Sequence, residues 1–221
     1  MCVWYKIISI TNIYNFMPCI YLNFTEPPST PSTLTIADSG TSNLVGMPFY
    51  GLYDYSQSGV IYLASELTAV AGKTITAIAY KWQGWKNSYE ANNQFIKLAH
   101  VSGSVFPSTA NINYSDINGG ISPSLVTCKS NFTTLDFTPN IGDGGYIKNE
   151  FTTNFVYNGT SNLLISWENY DDTWRSGYGY ITGVYQSGAK RYAYWYNDNS
   201  YPTAPSSAGG PRIPSIIIYY Q

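Results

Sequence analysis

The chain of 221 residues has a formal net charge of −2 and a pI near 5.3, and 11% of its residues are charged against about 25% in an average domain. No Lys/Arg cluster is longer than Lys190-Arg191, which excludes the basic footprint of a nucleic-acid-binding surface. With 22 Tyr and 17% aromatic residues, solubility rests on Ser, Thr, Asn and phenol hydroxyls, and Tyr suits the half-buried, pleated surface of a strand.

In chain order, residues 1–24 hold two β-prone apolar runs, VWYKIISI and CIYLNF. Lys6 makes a weak n-region, Asn12, Asn15 and Pro18 interrupt the apolar run, and no small-x-small site follows, so neither a signal peptide nor a membrane anchor is expected. No uninterrupted run approaches the roughly 20 residues of a membrane span. Residues 25–33, TEPPSTPST, read as an extended Pro-rich linker, so 1–24 is expected to be an N-terminal arm that pairs with a neighbouring subunit by strand addition.

From 34 to 221 a single β-sandwich domain is expected. Strand-like runs fall at 34–37, 60–64, 74–82, 94–99, 124–127, 132–137, 151–157, 162–167, 190–196 and 213–220, with turn residues between most of them. In 74–82, TITAIAYKW, both alternating faces are partly apolar, which predicts an interior strand. Asn158-Gly159 predicts a tight turn, and only 65–72, SELTAVAG, suits a helical turn. About ten such strands predict two packed antiparallel sheets.

The stretches YSQSGVIYLASEL (55–67) and YNGTSNLLISWEN (157–169), with TITAIAYKW, FIKLAHVSGSVF and the C-terminal RYAYWYNDNSYPTAPSSAGGPRIPSIIIYY in the same order, resemble the jelly-roll "cleaved adhesin"-like modules of Bacteroidota secreted and surface proteins. The resemblance covers residues 36–220. It implies an all-β, jelly-roll-type antiparallel sandwich and a non-enzymatic accessory module for binding or adhesion, extracellular or at the cell surface. Neither the fibronectin-like domains nor the C-terminal secretion domain of that setting is expected to accompany residues 1–221. The alternative expectation is therefore a virion structural or decoration protein anchored by its N-terminal arm.

Chemistry has few candidate sites. His100 is the one histidine and follows the run FIKLA, where a loop histidine bonded to backbone is expected rather than a catalytic base. Cys2, Cys19 and Cys128 form no CxxC pair and are expected as free thiols. Glu168, Asn169, Asp171 and Asp172 supply the oxygens that calcium takes and are the candidate ligands of a structural Ca²⁺, a set that jelly-roll relatives make more plausible. The loops KWQGWKNSYE, YDDTWRSGYGY and YNDNSY combine aromatics with amides and carboxylates, as a surface glycan would require. Trp85, Trp174, Tyr178 and Tyr180 are the candidate ligand-binding rings.

Overall fold

The computed structural model describes residues 30–83, 90–107, 113–134, 145–174, 180–188, 190–202 and 208–221. The expected arm, and the linker up to residue 29, lie outside the described residues. The strands are β1 (Ser32–Ile36), β2 (Ser42–Leu44), β3 (Tyr55–Tyr62), β4 (Thr74–Gln83), β5 (Ala91–Val101), β6 (Val126–Thr134), β7 (Tyr146–Val156), β8 (Asn162–Asn169), β9 (Tyr180–Tyr185), β10 (Tyr192–Asn197), β11 (Ala208–Gly210), β12 (Arg212–Pro214) and β13 (Ile216–Tyr220). Short 3-10 turns occupy Ala64–Glu66, Thr68–Val70 and Tyr114–Ile117, the first overlapping and the second inside the stretch 65–72 read as a helical turn.

These strands form two antiparallel sheets. A seven-stranded sheet runs β1-β13-β4-β9-β12, with β2 on β9 and β7 on β4; a six-stranded sheet runs β11-β10-β3-β8-β5-β6. Between β2 and β10 every connection except β5–β6 changes sheet, which is jelly-roll-type winding rather than a meander. The first strand pairs with the last, Ser32 opposite Tyr220. β1 thus begins two residues inside the stretch read as linker.

Two expected runs changed shape for local reasons. The expected runs at 124–127 and 132–137 meet in one strand, β6, whose polar middle is tolerated at a sheet edge where bulges shift its register against β5. The run 213–220 is two strands, because Ser215 leaves the ladder. Its backbone N–H donates to Thr182 O at 2.8 Å and its hydroxyl to Ala37 O at 2.6 Å. Pro214 pairs with β9, and Ile216 pairs with Tyr80 of β4.

Between the sheets lies the main core. It includes Val60, Tyr62, Ile75, Ile78, Tyr80, Ile96, Leu98, Ile165, Trp167, Ile216 and Ile218. In β4, Ile78 and Tyr80 face inward at period two, and a bulge between Ile75 and Ala77 brings Ile75 to the same side. Trp167 fills the centre, with Phe132 edge-on at 5.5 Å and Phe49 at 6.0 Å. Its indole N–H donates to Gln94 Oε1 at 2.8 Å, which satisfies a donor that burial would otherwise penalise.

A second, smaller core lies on the other side of the six-stranded sheet. Ile61, Ala99, Val101, Leu164, Ala193 and Trp195 point outward there, and the β5–β6 connection covers them with Phe106, Ile117, Tyr114 and Leu125. Tyr114 rests on Gly59, where a Cβ would meet the ring at 2.8 Å, so the glycine creates the seat for the tyrosine. Beside this core Arg191 is 1% exposed. Its Nε donates to Ile61 O at 2.8 Å, its Nη2 to Glu66 Oε2 at 2.7 Å and its Nη1 to Gln186 Oε1 at 3.2 Å.

Candidate functional site

Strand register decides which side chains meet on the outer face of the six-stranded sheet. Phe95 of β5 lies opposite Glu168 of β8, which lies opposite Gln57 of β3, which lies opposite Trp195 of β10. One step along, Lys97 lies opposite Ser166, and Ser166 opposite Gly59. Period-two alternation sends these residues to one side and Gln94, Ile96, Trp167 and Asn169 to the other. Beyond the second core, the outer face therefore passes from apolar and covered to polar, aromatic and open.

That open part holds a groove of about 200 Å³ lined by Asn93, Phe95, Lys97, Glu168 and Tyr170. Glu168 is only 4% exposed. Lys97 Nζ lies 2.7 Å from its Oε2, and the Tyr170 hydroxyl donates to the same oxygen at 3.4 Å. No described residue gives Oε1 a hydrogen bond. The Phe95 and Tyr170 rings stand edge to face at 5.4 Å and 78°, and Tyr201 stacks on Tyr170 at 4.1 Å and 11°. Burial, reinforced by the Glu168 charge, pushes the Tyr170 phenol up to about 12, so it stays a neutral donor in ordinary buffers.

The groove opens at the end of the sandwich where aromatics gather. Tyr50 and Tyr53, from the loop before β3, pack on Tyr196 of β10 at 5.1 and 4.0 Å, and Tyr50 also meets Tyr194 edge-on at 5.5 Å. The loop approaches because Gly46, at φ +75°, lies against the Tyr194 ring, where a Cβ would clash. Tyr55 donates to Asp172 Oδ1 at 2.5 Å, and Asp172 N donates to Asp54 O at 3.2 Å, which ties the loop after β8 to the same end.

Of the four candidate rings, Trp174 is 60% exposed on that loop. Tyr180 opens β9 and packs half-buried against the main core, so it serves as a wall rather than an exposed face. Trp85 and Tyr178 lie outside the described residues. The four candidate calcium ligands do not converge. Glu168 and Asn169 are consecutive strand residues and so face opposite sides of the sheet, with Asn169 buried and its amide donating to Asp54 O at 3.3 Å. Asp171 Oδ1 accepts from the Asn92 N–H at 2.7 Å, and Asp172 is held by Tyr55. Among the described residues no three His, Cys, Asp or Glu side chains gather as a metal would need.

His100 sits within β5 rather than in a loop, but it is bonded to backbone as expected. The Asn158 N–H donates to its Nε2 at 3.0 Å, and its ring packs on Phe155 at 4.8 Å. This fixes the Nδ1–H tautomer of the neutral ring and pins the Asn158-Gly159 turn. Burial holds its pKa below the ordinary 6.5. Protonation is thus easier in the unfolded chain, and stability should fall as pH drops below about 6.5, levelling once the folded-state pKa is passed. Urea denaturation between about pH 7 and about pH 5 should show this decline, and His100→Gln should flatten it. An identical pH slope in the variant would remove His100 from the account. Cys128 is a free, buried thiol whose pKa burial raises to about 12, so it is inert as a nucleophile.

The sequence alone marked Glu168 and Trp174 but missed Phe95, Lys97 and Tyr170 as their neighbours. The available signal was the outward parity of Phe95 and Lys97 in QFIKLA, which becomes a site only when β8 is registered beside β5. A scan against protein-family models finds no match, and a search among curated proteins finds none either. The likeness to the adhesin-type module rests on the stretches at 55–67 and 157–169 and on the order of segments around them.

Proposed function

We propose that this protein is a non-catalytic recognition module acting outside the cell, an adhesin-like sandwich that holds a surface ligand at its aromatic end. One observation carries the reading: Tyr50, Tyr53, Tyr55, Tyr170, Tyr194, Tyr196 and Tyr201 are brought from separate loops and strands to the same end of the six-stranded sheet. These rings are half-buried, and such rings supply contact area at low entropic cost, as in other recognition surfaces. The carboxylates support the same reading. Glu66 holds Arg191, Glu168 holds Lys97, Asp38 holds Lys81 and Glu150 holds Lys148, so each is paired with a cation rather than placed for proton transfer.

Labelled protein on glycan and cell-surface arrays should be retained on at least one surface. Trp174→Ala and Tyr53→Ala should each weaken that retention by about tenfold, the loss of an aromatic contact worth over 1 kcal/mol. The Trp174 variant should keep its melting temperature, because substitutions on exposed loops rarely exceed about 0.5 kcal/mol. Release of a cleaved sugar from the array, abolished by Glu168→Gln, would overturn the reading.

A further inference from the structure

We propose that the groove formed by Asn93, Phe95, Lys97, Glu168 and Tyr170 is a binding site for one neutral pyranose unit of a glycan. This rests on the recognition-module reading and adds to it a place, a size and a ligand class. A volume of about 200 Å³ falls below the roughly 300–1,000 Å³ of pockets that enclose drug-sized ligands, which suits a single ring.

The chemistry of the lining selects the class. Among the described residues, Lys97 and Glu168 are the charged side chains lining the groove, and they neutralise each other. An anion would have to compete with Glu168 for Lys97, and a cation with Lys97 for Glu168. A neutral polyol avoids both costs. Its hydroxyls both donate and accept, so one can donate to the unclaimed Glu168 Oε1 while a neighbour accepts from Lys97, whose ammonium has three donors. The Asn93 side chain adds a donor and an acceptor at the rim.

Aromatic surface supplies the rest. Phe95 and Tyr170 meet near a right angle, and they offer apolar carbon to the C–H face of a sugar ring while the polar pair takes its edge. Tyr201 covers one face of Tyr170 and holds that ring in place. Asn93 adopts a left-handed backbone, φ 57°, and its carbonyl accepts from Tyr170 N–H at 3.2 Å, which closes the groove at the strand end. A lipid chain would take water from the Glu168–Lys97 pair without returning a hydrogen bond to it. A nucleotide phosphate would find Lys97, the cation of the described lining, already paired with Glu168.

The test uses the full chain with methyl glycosides of glucose, galactose and mannose, with N-acetylglucosamine, and with glucuronate as the charged comparator. Saturation-transfer NMR should detect at least one neutral glycoside at millimolar affinity, with amide shifts around Phe95 and Glu168. Phe95→Ala and Glu168→Gln should each weaken it by about tenfold or more. Glu150→Gln, an exposed position on β7 of the seven-stranded sheet, should leave single-unit binding unchanged. The melting temperature of each variant checks its folding, and Lys97→Met replaces Glu168→Gln if the latter fails to fold. Absence of binding by every neutral glycoside would overturn the site, as would glucuronate binding tightest or a bound sugar indifferent to Phe95 and Lys97. Retention on arrays that persists through those results would leave the module standing and the groove refuted.

Discussion

Glu66→Ala should lower the unfolding free energy by about 3 kcal/mol, the lower part of the range of about 3–5 kcal/mol for breaking a buried ion pair. Arg191 is 1% exposed and Glu66 22%, so removing the carboxylate leaves a guanidinium inside the protein without its counter-charge. The Ile61 carbonyl and the Gln186 amide remain, but both are neutral. A second loss compounds the first: Glu66 Oε2 also accepts the Leu63 N–H at 2.7 Å, which caps the 3-10 turn after β3. Denaturant unfolding gives the number directly. The paired replacement Glu66→Leu with Arg191→Met should cost less than Glu66→Ala alone, because it removes both charges together. A single variant within 0.5 kcal/mol of the parent, on the scale expected of ordinary surface positions, would show that water reaches the guanidinium.

Trp167→Ala should cost about 3–5 kcal/mol, the usual range for deleting a buried indole. The side chain is among the largest of the fully buried ones and touches Phe49, Tyr80 and Phe132. Its removal opens a cavity between the sheets and also strips Gln94 Oε1 of its donor, while the Gln94 amide stays bonded to Asn92 O at 2.7 Å. Trp167→Phe should cost less, because it keeps most of the volume and loses only the hydrogen bond. Thermal melts of both variants check the order. Equal losses would mean that the hydrogen bond rather than the volume dominates.

Strands whose own side chains encode two faces were legible in the sequence. β4 and β8 are apolar-rich runs, and they lie where the expected strands at 74–82 and 162–167 were placed. β2, β9 and β11 were not legible. SNL and AGG are too short for a period, and Gly183 breaks the apolar pattern of YITGVY, so these strands exist through partners far away in sequence. The second core was hidden for the same reason. Ile61, Leu164 and Ala193 alternate with main-core residues, and nothing local in their strands tells that the β5–β6 connection lies across them.

Site legibility follows a similar rule. Asp171 and Asp172 drew attention by clustering in sequence, yet each is spent on a loop tie, to Asn92 and to Tyr55. Glu168 was singled out beside them as an oxygen donor, and its actual neighbours are Lys97 and Phe95, some seventy residues earlier. Proximity along the chain pointed to a metal cage, whereas the pleat separates Glu168 from Asn169 and joins it to β5. Arg191 gave no signal, because nothing in Lys190-Arg191 tells which of the two turns inward.

The pairing of the first and last strands fixes how the domain is presented. Ser32 and Tyr220 sit side by side, and Thr74 exchanges two backbone hydrogen bonds with Gln221. This corner belongs to the start of β4, whereas β5 begins at the opposite end of the sandwich, beside Asn93 and Tyr170. Ser32 and Gln221 therefore sit at one pole, and the tyrosines occupy the opposite one. A partner gripping the domain at that pole would stand it upright, with its aromatic crown directed away from the grip.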